Sequence, residues 1–388
     1  MGVLWFSRGV VVVSRGVVVF VLLGLVSLFA DLTYEGARGI VGPYLEFLEA
    51  GLVVAAAVSV GDLVAYVARL FGGLFAYRVG SSGAYWGLVF LGYTVNLVAV
   101  PLLAFAGRWE EAFLLVLLER AGKGVRAPAR DAILAEVSGG LGRGVVYAVH
   151  EAMDQVGAIA GPLLVMAALS SGFGYSGVFA LLGVPALVSL LLLTLAYILY
   201  PRLKSAEKPP GGYPPFGRVA PLAAAAGLSM AGFIHWIHAS FRYSVQGVDA
   251  SLIAGAYAVA MLVDALAALA LGVAYDKVTR GVVALVPIVA AASSLAVLLG
   301  APLALAAILW GVAMGGFQSV FRSVVADSLE PRLRGLGFGV VYFAMGLGWS
   351  VGNIAMASLP VWAGAAVALL AGGGGAVAML GLAKKQGG

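Results

Sequence analysis

The chain has 388 residues, of which 62% are hydrophobic and 11% charged, with a formal net charge of +5 and a mean hydropathy of +1.04. A soluble domain cannot bury that much apolar surface, and so sparse a charge cannot clothe one, so lipid is the solvent this composition requires. The absence of cysteine excludes disulfides, thiolate metal centres and cysteine nucleophiles, and the basic residues are scattered over short loops, which reads as membrane topology rather than nucleic-acid binding.

A helical span needs about 20 apolar residues. On that scale the hydropathy pattern predicts twelve spans, at 14–37, 50–76, 83–106, 110–126, 143–169, 175–200, 218–241, 251–275, 281–300, 302–322, 335–358 and 360–383. Helices rather than barrel strands are expected, because the runs lack period-two alternation and lipid offers backbone groups no other partner. Arg8 and Arg15 precede the apolar run from Val17 to Ala30, which is longer than a leader-peptide core and is read as the first span. The stretch PRLKSAEKPPGGYPPFGR, Pro201–Arg218, is too rich in proline and glycine for a regular helix. It divides the chain into a first half at 1–200, a linker at 201–217 and a second half at 218–388. Of the 23 Lys and Arg residues, only Arg38, Arg108 and Arg242 fall on the side away from the two ends of the chain. The positive-inside rule then places both termini and the linker in the cytoplasm.

The halves resemble one another. Asp31 is followed seven residues later by Arg38, and His235 by Arg242. The second span ends GLFAYRVG and the eighth ends GVAYDKVTR, while Gly157 and Gly161 follow Arg143-Gly144 much as Gly348 and Gly352 follow Arg334-Gly335. Six plus six helices with both ends on one side describe a parallel repeat about an axis along the membrane normal.

Gly272-Val-Ala-Tyr-Asp276-Lys277-Val-Thr-Arg280 resembles the inner-loop signature of the major facilitator superfamily, and Gly157-Ala-Ile-Ala-Gly161-Pro162 resembles the glycine-proline motif of that superfamily's exporters. The stretch from Arg120 to Asp131, with His150-Glu-Ala-Met-Asp154 and Asp31-Leu-Thr-Tyr-Glu35, is similar to a poorly characterised prokaryotic branch. The resemblance implies an all-α membrane protein of twelve transmembrane helices in two pseudo-symmetric six-helix bundles. It further implies a monomeric secondary transporter without cofactor or enzymatic activity that moves a small solute through the lipid bilayer, proton-coupled and exporting. In the first-half copy of the inner-loop signature Tyr77 stands in place of the acid.

A charge within the bilayer costs roughly 2.5–3.5 kcal/mol on insertion scales, so each needs a purpose. Asp31 and Glu35 share a face of the first span, and His235 and His238 are placed opposite them by the repeat. Such a set suits a proton-titratable gate or a divalent-cation site on helices 1 and 7, the latter making the chain a metal-ion transporter or facilitator. Asp62 and Asp264 fall near mid-membrane as proton carriers. Trp310 and Gln318 are expected to line the cavity from the tenth span. Gating is assigned to Arg38 and Arg242 outside, and to Arg120, Arg126 and Arg130 with Asp154 inside. Gly157, Gly161 and Pro162 form the helix-packing motif, and Gly272, Asp276, Lys277 and Arg280 the inner latch. A receptor that binds without transport is the reading from another class, and no attached output domain supports it.

Overall fold

The computed structural model describes residues 4–7, 10–13, 15–137, 143–200, 202–203, 216–278, 280–329 and 334–386. A short antiparallel ribbon, β1 (Leu4–Ser7) with β2 (Val10–Val13), precedes the helices. The first half then crosses six times: α1 (Arg15–Phe47); α2 (Leu52–Ala57) with α3 (Val60–Val79); α4 (Ser82–Leu102); α5 (Trp109–Val137); α6 (Arg143–Ser170); and α7 (Tyr175–Leu181) with α8 (Gly183–Leu199). The second half repeats the course. Its spans are α9 (Phe216–Ala231) with α10 (Trp236–Val245); α11 (Ala250–Val278); α12 (Arg280–Leu298); α13 (Leu303–Gly316) with α14 (Arg322–Ser328); α15 (Arg334–Ser358); and α16 (Val361–Gln386).

Eleven of these crossings are long and apolar enough to span a bilayer. The twelfth, α5, carries Glu119, Arg120, Lys123, Arg126, Arg130 and Asp131 along its 29 residues. Hydropathy alone ends this span at 126, yet the helix runs eleven residues further. Its charges face protein and cavity rather than lipid, with Glu119, Arg120 and Arg126 all buried. The first span likewise reaches Phe47 rather than 37, so Asp31 and Glu35 lie near its middle and not toward its end. The sequence-read linker at 201–217 falls mostly outside the described residues, as do the side chains of Tyr77, Arg143, Arg280 and Arg334.

Each half has its own buried apolar core. The first is built from α1 to α8, joined by Ile237, Phe241 and Ala254 from the second half. The second is built from α9 to α16, joined by Ala158 from the first. Within each half the same device seats the fifth span on the first. A Cβ at Gly157 or Gly161 would strike the carbonyl oxygens of Leu28 and Leu32, and one at Gly348 or Gly352 those of Gly227 and Ala231. Small residues four apart let the two backbones touch, as membrane helix pairs require.

Among the described residues four spans are interrupted. The second breaks at Val58–Ser59, between α2 and α3, and the sixth at Leu182. The seventh is unwound at Gly232–His235, in mid-membrane. The tenth contains a π-turn, Phe317–Phe321. Unwound backbone within a bilayer is tolerated only where protein satisfies it, and the seventh span meets that condition in full. Ser294 Oγ accepts from Ile234 N (2.8 Å) and donates to Gly232 O (2.7 Å). Trp310 Nε1 donates to Ile234 O at 3.0 Å. Asn353 donates to Phe233 O (3.1 Å) and accepts from His235 N (2.8 Å).

Candidate functional site

These breaks surround a cavity of about 300 Å³ between the halves, within the range of small-molecule sites. On the side bearing the basic connections it reaches Arg69, Glu151 and Arg322, all exposed, and there it opens. On the far side it stops at Glu35 and Arg38. Beyond them the first and seventh spans meet. A Cβ on Gly42 would lie 2.6 Å from Phe241 N and 2.7 Å from Ile237 O. Ser244 Oγ donates to Glu46 Oε2 at 3.3 Å. The second and eleventh spans also stay in contact, with Tyr66 stacked on Tyr342 (5.4 Å) and Ser350 Oγ donating to Ser59 O (3.2 Å).

The two walls differ in chemistry. Six of the seven Lys and Arg residues lining the cavity, and five of its six acids, come from the first half. The second half contributes Met230, Trp236, Met261, Trp310, Met314, Phe317, Met345 and Trp349. The charged wall is held by α5, whose Arg120, Lys123, Arg126 and Arg130 recur every three or four residues on one face.

Of the four residues expected to converge on helices 1 and 7, Asp31, Glu35 and His235 line this cavity but take separate partners, and His238 does not line it. His235 caps α10: its Nδ1 accepts from Ile237 N at 3.2 Å. The ring proton therefore sits on Nε2, which donates to Asp62 Oδ2 at 3.1 Å. His238 turns away from the cavity, and its Nδ1 donates to Asn353 Oδ1 at 3.1 Å. Glu35 pairs with Arg38 (2.8 Å) and Lys123 (3.7 Å) and accepts from Tyr257 Oη (2.6 Å). Asp31 accepts from the Tyr34 hydroxyl. The repeat put His235 opposite Asp31, but unwinding of the seventh span redirects the imidazole to the second. Among the described residues no group of three or more His, Asp and Glu side chains is arranged to hold a metal ion.

The inner pairings also differ from expectation. Asp154 lies 3.7 Å from His150 Nε2, and Arg126 and Arg130 of α5 face it without coming within salt-bridge reach among the described residues. Arg120 faces Glu119 (3.3 Å) and Asp62 (3.7 Å), and Arg130 binds its neighbour Asp131 (2.9 Å). Arg126 has its guanidinium 3.9 Å from the Tyr93 ring centroid, and its Nε and Nη1 have no hydrogen-bond partner among the described residues. Arg242 is half-buried in α10, with Nε unpartnered among the described residues. Asp276 and Lys277 are exposed at the basic end of α11, where neighbouring Tyr275 donates to Asp327 Oδ2 at 2.9 Å. Gly272 packs over Ser319 of the π-turn, and Pro162 lies against Gly39 of α1.

Asp264 and Gln318 do come together. Gln318 Nε2 donates to Asp264 Oδ2 at 3.0 Å, while Oδ1 has no partner among the described residues. Asp264 is 1% exposed and, among the described residues, has no cation within salt-bridge reach. The π-turn makes this pair possible, because its extra residue turns both Phe317 and Gln318 into the cavity. Trp310 lines the cavity too, with its indole N–H committed to the unwound backbone. Sequence reasoning passed over Lys123, Tyr34, Asn96 and Glu119 as site residues. The spacing of Lys123 from Arg120 and Arg126 was the available signal. Asn96, which donates to Glu119 Oε1 at 2.7 Å, carried none.

The family model described as Major Facilitator Superfamily matches residues 4–353. Uncharacterized protein Rv2265 of Mycobacterium tuberculosis and Uncharacterized protein Mb2288 of Mycobacterium bovis are each 39% identical over 344 residues, covering 84% of this chain and 82% of theirs. The fold is similar to that of a peptide transporter POT in complex with sulfate (TM-score 0.76, 14% identity, 97% of this chain and 95% of that one). It is also similar to that of the nucleoside transporter NupG (0.73, 15%, 95% and 99%). At those identities the two structures speak for fold alone. The chain therefore belongs to the Major Facilitator Superfamily, and is a multi-pass membrane transporter rather than an enzyme.

Proposed function

We propose that the chain is a proton-coupled secondary transporter that exports a small solute by alternating access, working as a monomer with both termini in the cytoplasm. Its halves, divided at 201–217, rock about the central cavity. The observation that carries the coupling is Asp264. A buried carboxyl that, among the described residues, has one oxygen unpartnered and no cation within salt-bridge reach is an acid that a proton neutralises with little disturbance, since a lone buried charge is costly. Arg322, Glu151 and Glu35 are the charged groups that face it. Asp62 is already matched by His235 and Arg120. The Nδ1 of His235 is taken up by the Ile237 N–H that it accepts.

The direction rests on Gly157, Gly161 and Pro162, whose motif resembles that of exporters. In the conformation described, the cavity opens to the basic side, where an exporter loads. The test is proteoliposome transport under an imposed pH gradient, with pyranine inside and a solute panel outside. Wild type should move protons with one solute class, and Asp264→Asn should lose gradient-driven flux while keeping solute counterflow. Solute flux without proton movement, unchanged in Asp264→Asn, would make the chain a facilitator.

A further inference from the structure

Three cations surround one aromatic ring in the cavity. Lys123 Nζ stands 4.1 Å from the Tyr34 centroid, and the Arg38 and Arg126 guanidinium carbons each stand 5.9 Å from it. Glu35 serves two of the three, Arg38 and Lys123. Arg126 is left over. It is 1% exposed, Nε and Nη1 have no acceptor among the described residues, and its weak bond to Asn96 Oδ1 measures 3.5 Å. Among the described residues no carboxylate lies within 4.0 Å of it. Of the nearby acids, Asp31 accepts from Tyr34, and Asp154 stands 3.7 Å from His150 Nε2 and beyond salt-bridge reach of Arg126. Stacking on Tyr93 offsets only part of the cost of burying an unpaired guanidinium.

We infer that this cluster is the seat for the anionic head of the transported solute, and that the solute is an amphipathic organic carboxylate. Lys123, with 37% of its side chain exposed, is the accessible half of the seat. Arg126, one turn along the same face of α5, is the buried half. The opposite wall suits an apolar or aromatic body. Trp349, Phe317, Met314 and Met345 line it, and methionine and aromatic side chains adapt to varied apolar shapes. The Trp349 indole N–H has no partner among the described residues and offers a further donor to an acceptor on the ligand. This inference rests on the transporter reading and adds the class of solute.

The test is binding to the full-length protein in lipid nanodiscs, read by tryptophan quenching and melting temperature. The probes are aryl acetates and medium-chain alkanoates, each paired with its primary amide and its amine analogue. A charge-assisted contact to a buried cation predicts that at least one acid binds about tenfold or more tighter than its amide, with the amine weaker still. Arg126→Gln should bring acid and amide to equal affinity while amide binding persists. Lys123→Gln supplies the same comparison if Arg126→Gln does not fold. Wild type in which no acid is preferred over its amide, or variants that both keep the full preference, would overturn the seat. Proteoliposome flux separates the two readings. An acid that binds with the predicted preference but is never moved leaves the seat standing and removes the transporter reading. Flux of neutral or cationic solutes with no carboxylate preference does the reverse.

Discussion

Replacing Asn353 by alanine removes one side chain that holds open the unwound seventh span. Three buried groups lose their partner: His235 N–H, Phe233 C=O and His238 Nδ1–H. A neutral hydrogen bond nets about 0.5–1.5 kcal/mol in proteins and averages about 0.6 kcal/mol between membrane helices. Three of them therefore amount to about 2–4 kcal/mol. The loss is local, because α9 and α10 keep their own helical bonds and Ser294 and Trp310 still hold Gly232 and Ile234. Hydrogen exchange is the matching assay, since it reports local opening residue by residue. At 1.4 kcal/mol per factor of ten, amides at 233–237 should exchange about 30- to 700-fold faster in Asn353→Ala, with α12 and α16 unchanged. The His235 ring, no longer anchored through its backbone, should also lose its contact with Asp62. A folded variant with unaltered exchange at 233–237 would refute the account of how this backbone is satisfied.

Ser294→Ala, which leaves Ile234 N–H and Gly232 C=O without that hydroxyl, should cost about 1–2 kcal/mol in a reversible unfolding titration; a neutral outcome would mean water takes its place. Gly42→Ala puts a methyl group 2.6 Å from Phe241 N. Overpacking of about 1–3 kcal/mol should favour separation of the first and seventh spans by about 5- to 150-fold. Ser244→Cys in that background should then react faster with an impermeant maleimide from the far side, and a chain without native cysteine supplies no competing signal. Asp249, in the connection before α11, has its carboxyl held below the usual carboxylate range by the Ser251 hydroxyl and N–H. A depressed folded-state pKa means its stabilisation is full above the unfolded value of about 3.9 and fades as pH falls through the folded one. Asp249→Asn should flatten the loss of melting temperature below about pH 4, and an unchanged acid limb would show that other groups dominate.

The spans and their repeat were legible because hydropathy and lipid thickness leave little choice. Many of the cavity residues were legible because a charge or amide within a span needs a reason. The partners were not. Gly232-Phe233-Ile234-His235 contains no proline and reads as continuous helix. Its unwinding is stabilised by Ser294, Trp310 and Asn353, which are 60 or more positions away. Once that turn opens, His235 meets Asp62 rather than Asp31. The length of α5 was hidden for a related reason, since hydropathy counts its charges as solvent-exposed whereas Arg120 and Arg126 are buried.

The π-turn at Phe317–Phe321 also bears on how this span tolerates insertion and deletion. One surplus residue is stored inside the membrane instead of in a loop. Below it, the face that Arg322 presents is rotated by one position against the face set by Trp310 and Met314. Deleting a single residue there would leave both neighbouring connections at their present length, yet return the lower segment to the phase of the upper one. Gln318 would leave Asp264, and Arg322 would leave the mouth of the cavity. The spacing of this span is thus part of its chemistry, and a one-residue gap in mid-span separates it from an uninterrupted helix of the same role.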